Sequence, residues 1–77
     1  MKIKLERLGE EAVIEDLMVY SPSFKLQQDL ENVVRHIQYK EVGGLSIMQV
    51  LLSELQEIGI YDIKSVTNFD DNPDLLN

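Results

Sequence analysis

Hydrophobic and polar residues alternate at the start of the chain. Between Lys2 and Leu8, the apolar Ile3 and Leu5 fall on one side and charged residues on the other, which is typical of a half-buried β-strand. Near the end of the chain, the stretch from Ile60 to Thr67 is rich in β-favouring residues and also predicts a strand, although its alternation is less regular. We expect these two end strands to pair in one small sheet.

The segment from Glu10 to Val19 fits two structures. As a helix, it would bring Val13, Leu17 and Tyr20 onto one face. As a strand, it would pair with the first strand through a hairpin turn at Gly9. We expect the helix, and the hairpin is the alternative.

Two helices are predicted in the middle of the chain. From Pro22 to Val42, apolar residues recur at spacings of three and four, and either Ser21 or Ser23 is suited to cap the first turn. A second helix is predicted from Ile47 to Ile58, with Ser46 as its N-cap. The two helices are expected to pack against each other and on the sheet.

The second predicted helix has a broad apolar surface. Gly59 predicts its end, because glycine readily adopts the left-handed conformation that closes a last turn. We expect Leu51 and Leu55 to be core anchors and Ser53 to lie on the polar face. One neighbouring helix is too narrow to cover the whole surface, so we expect part of it to continue into an interface. The apolar residues are Ile47, Met48, Val50, Leu51, Leu52, Leu55 and Ile58.

Together these elements predict one small α+β domain over residues 1–67. Two or three central helices would pack on a sheet that pairs the N- and C-terminal strands, and a mostly α fold is the alternative. Residues 68–77 predict an acidic, flexible tail. A chain of 77 residues buries only about 60% of its unfolded surface, so self-association or a partner would add to its stability.

The charge of the chain narrows the range of partners. Fourteen acidic residues outnumber seven lysines and arginines, for a net charge of −7. Nucleic acid is a polyanion and would repel such a chain, so we expect a protein partner and no direct nucleic-acid binding. The sequence shows no apolar run that predicts a membrane span or a signal peptide, so we expect a cytoplasmic protein without membrane contact.

The sequence offers little catalytic or metal-binding chemistry. There is no cysteine, and His36, the one histidine, lies beside Arg35 near a predicted helix end, where a solvated role is common. The acidic run from Asp70 to Asp74 lacks the glycine and the final glutamate of a calcium loop. Gly43 and Gly44 have no lysine in phosphate-loop position. We therefore predict a non-enzyme without catalytic residues, cofactor or metal.

By elimination, the sequence predicts a non-enzymatic protein-binding domain that self-associates. Short acidic chains without catalytic residues are typical of the regulators and inhibitors of host proteins that phages and mobile elements encode. One alternative is an acidic DNA mimic that inhibits a DNA-binding protein, and another is an assembly subunit or chaperone of a larger complex. The candidate partner surface combines acidic and apolar residues: Glu10, Glu11, Glu15, Asp16, Met18, Met48 and Leu52.

Overall fold

The computed structural model describes residues 1–40, 43–44 and 46–68 of the chain. They form a four-stranded antiparallel sheet with two helices packed on one of its faces, which confirms the predicted α+β class. The tail predicted for 68–77 lies, from residue 69 onwards, outside the described residues. The elements in chain order are β1 (Lys2–Arg7), β2 (Glu10–Glu15), β3 (Met18–Tyr20), α1 (Phe24–Gln38), α2 (Ile47–Ile58) and β4 (Asp62–Thr67).

The strand order in the sheet is β3-β2-β1-β4. Strand β1 pairs with β4 in antiparallel register, with Ile3 opposite Val66, so the predicted pairing of the end strands is confirmed. The register shifts within this pair, and Lys64 is left without an opposite residue, as in a β-bulge. Beyond the shift, Leu5 lies opposite Ile63. The shift therefore keeps apolar residues of both strands on the face that the helices cover.

The prediction of a helix from Glu10 to Val19 is wrong, and the hairpin alternative is the structure that forms. Strands β2 and β3 replace the helix, and the period-two positions Ala12 and Ile14 are buried in the core. The helical pattern would have buried Tyr20, which is 56% exposed. Pairing with β1 satisfies the backbone hydrogen bonds of β2, and this non-local gain outweighs a weak local preference for helix.

Local signals set the helix ends. The hydroxyl of Ser23 accepts a hydrogen bond of 3.2 Å from the Leu26 amide, so Ser23, and not Ser21, caps α1. Helix α1 ends at Gln38, four residues before the predicted end. The hydroxyl of Ser46 caps α2 in the same way as Ser23 caps α1. Each helix is thus anchored at its N-terminus by a side chain that satisfies an otherwise unpaired amide.

The core lies between the sheet and the two helices. Leu51 and Leu55 of α2 are completely buried, as predicted for core anchors, and Ser53 on the same helix is exposed. Most of the broad apolar surface of α2 packs in or against this core. The buried residues are Ile3, Leu5, Ala12, Ile14, Val19, Leu26, Leu30, Val34, Ile37, Met48, Leu51, Leu55 and Tyr61.

Candidate functional site

The acidic residues predicted as a partner surface lie at both ends of strand β2 rather than in one patch. At its start, Glu10 accepts a hydrogen bond of 3.0 Å from the Ser23 hydroxyl, and Glu11 beside it is exposed. At its end, Glu15 is half-buried and Asp16 is exposed in the turn to β3. Since an extended residue spans about 3.3 Å, the two groups are separated by most of the strand's length.

The apolar residues predicted for the same surface are also dispersed. Met18 is exposed on the edge strand β3, whereas Met48 is only 5% exposed within the core. Leu52 is half-buried and packs against that core. The structure therefore does not bring the seven predicted residues together.

A different group of residues converges at one end of the domain. A cleft of about 390 Å³ opens there, with mainly apolar walls. We call it the end cleft. It lies where the turn between β1 and β2, the first half of α1 and the link between α2 and β4 meet. Its lining residues are Arg7, Leu8, Lys25, Asp29 and Ile60.

The polar part of the end cleft is an ion-paired cluster. The Arg7 guanidinium donates a hydrogen bond of 2.8 Å to Asp29, whose other carboxylate oxygen lies 3.4 Å from the Lys25 ammonium. The Arg7 guanidinium carbon also lies 5.7 Å from the centre of the Tyr61 ring. The hydrogen bond from Arg7 holds the pKa of Asp29 below its ordinary value and raises the pKa of Arg7. The charges of this cluster are therefore already engaged with one another at neutral pH.

The apolar part of the end cleft is contributed by Leu8 and Ile60, two residues that are 94% and 57% exposed. Leu8 and Gly9 are the two central residues of the turn between β1 and β2, and both have positive φ angles, of 51° and 83°. Positive φ at both positions defines a type I′ turn, in which asparagine, aspartate or glycine is the usual first residue. A non-glycine residue held in this region costs on the order of 1 to 3 kcal/mol.

In the turn between β2 and β3, the cost of a positive φ angle at a leucine is offset by burial. Its central residues, Asp16 and Leu17, also have positive φ angles, of 51° and 69°. Leu17 packs against the hydrophobic core, so burial compensates for its backbone conformation. Among the residues that the structure describes, Leu8 is not packed against this core and is 94% exposed. Packing within the described part of the chain therefore does not account for a leucine at position 8.

Comparison with known proteins adds no family to this geometry. No model of a known protein family, no curated protein and no solved structure matches the chain. Within the residues that the structure describes, no three potential metal-ligating side chains cluster. Neither of the two described helices combines the length and the apolar character needed to cross a membrane. The end cleft is therefore interpreted from its own chemistry.

Sequence reasoning missed the end cleft. One signal was present, since a leucine precedes Gly9 between two β-favouring stretches where asparagine or aspartate is usual. The contact between Arg7 and Asp29 gave no such signal, because 22 positions separate the two residues along the chain. Chemically, the cleft offers exposed apolar side chains beside paired charges.

Proposed function

We propose that this protein is a non-enzymatic protein-binding domain and that Leu8 with the end cleft is its contact surface. The observation that carries the proposal is Leu8, which is 94% exposed and held at a φ of 51°. Contiguous apolar groups rimmed by polar residues are typical of interaction sites, and Leu8 lines the same cleft as Ile60. A partner that covers Leu8 would bury a side chain that the described core leaves exposed.

The energies of the two effects are comparable. Burying a leucine side chain contributes about 1.5 to 3 kcal/mol, which is similar to the cost of its left-handed backbone conformation. The ion pair between Arg7 and Asp29 adds a second favourable feature, because a partner that covers the cleft meets two charges that already neutralise each other. Covering an unpaired charge would instead carry a desolvation penalty.

A domain that acts by covering a surface of its partner fits a regulator or inhibitor better than an enzyme. The charged side chains that line the cleft are engaged with one another, which leaves no general base or nucleophile among its described lining residues. The dispersal of Glu10 and Asp16 to opposite ends of β2 gives no support to the alternative of a DNA mimic.

The proposal is tested by capturing partners from a cell lysate with the immobilised domain. The variant Leu8→Asn removes the apolar side chain and introduces a residue that type I′ turns favour, so it should fold at least as well as the wild type. The matched control is Tyr39→Ser, which removes an 84% exposed aromatic side chain at the C-terminal end of α1, away from the cleft.

We expect proteins that are retained by the wild type and by Tyr39→Ser to be lost with Leu8→Asn. Because the contact is mainly apolar, the retained proteins should also resist elution by moderate salt. Retention of the same proteins by Leu8→Asn, or their complete release by salt, would contradict the proposal. A melting curve for each variant separates loss of binding from loss of folding.

A further inference from the structure

We draw no further inference here: the strongest candidate, the face of the sheet opposite the two helices, where Met18 and Tyr20 of β3 are 60% and 56% exposed, is an unpartnered face, and nothing in the described part of the chain shows what covers it.

Discussion

The guanidinium of Arg7 donates a hydrogen bond of 2.8 Å to the carboxylate of Asp29, 22 positions further along the chain. The contact joins the last residue of β1 to the first half of α1. It also forms the charged part of the end cleft, where Lys25 approaches the same carboxylate. One ion pair thus connects the sheet, the helix layer and the candidate contact surface.

Replacing Asp29 with asparagine should destabilise the fold at neutral pH and have little effect in acid. The pKa of Asp29 is lowered in the folded state by the hydrogen bond from Arg7. Its ionised form therefore contributes stability fully above the unfolded value, about 3.9, and this contribution is lost as the pH falls through the folded pKa. Urea unfolding of wild type and Asp29→Asn across this range measures the effect.

The matched control for that experiment is Asp16→Asn, which changes a carboxyl group that is 81% exposed in a turn and lies 3.9 Å from the N-terminal ammonium. We expect this variant to differ little in stability from the wild type at neutral pH, because an exposed ion pair contributes little. A difference in stability between wild type and Asp29→Asn that stays constant into strong acid would contradict the role assigned to the ion pair.

Leu8→Asn should stabilise the domain. Asparagine tolerates positive φ better than leucine does, so the substitution relieves backbone strain by about 1 kcal/mol without loss of packing. For a domain of this size, the melting temperature should rise by about 4 to 8 °C. Leu17→Asn is the control, because it relieves a similar φ but removes contacts with the core, and it should not raise the melting temperature. A lower melting temperature for Leu8→Asn would show that Leu8 stabilises the single chain.

Leu51→Ala and Leu55→Ala should each destabilise the domain by about 2 to 5 kcal/mol, because both side chains are completely buried. The total stability of so small a domain is on the order of 5 kcal/mol, so either variant should retain at most about 3 kcal/mol and melt at a much lower temperature than the wild type. Ser53→Ala, on the exposed face of the same helix, should change stability by at most about 0.5 kcal/mol. Thermal melts that place all three variants together would show that the facing of α2 is wrong.

Gly59→Ala should destabilise the end of α2 by about 1 to 2 kcal/mol. Gly59 has a φ of 82°, and its amide donates a hydrogen bond of 3.3 Å to the Leu55 carbonyl oxygen. Apart from the adjoining residues, the described atom nearest to an added methyl group is the Glu57 carbonyl oxygen, at 3.9 Å, so the cost comes from the backbone conformation. Gln56→Ala, at an exposed position of the same helix, should be nearly neutral in a urea titration. Equal unfolding midpoints for the two variants would contradict this reason.

Several elements of the fold could be predicted because their signals are local. Ser46 and Gly59 bracket α2 as their side-chain and backbone chemistry requires, and both predicted ends are confirmed. Strand β1 followed from the strict alternation around Ile3 and Leu5, both completely buried. In each case, residues close together along the chain contain the whole physical reason for the structure.

The structure of the segment from Glu10 to Val19 could not be predicted from its own residues. Its short apolar pattern is compatible with periods of 2 and 3.6, and its helical preference is small. The segment forms a strand because its backbone hydrogen-bonds to β1. In that position Ala12 and Ile14 are buried in the core. Strand β1 lies outside the segment, so the residues of the segment alone do not determine its structure.

The sequence by itself determined a small acidic α+β domain, its capped helices and the pairing of its end strands. Only the tertiary structure decided where the candidate contact surface lies. Arg7, Asp29 and Ile60 come from three separate elements, and they meet beside Leu8 because the helices pack across the sheet. Local residue preferences determine how each element begins and ends, whereas a cleft depends on distances between elements that only packing sets.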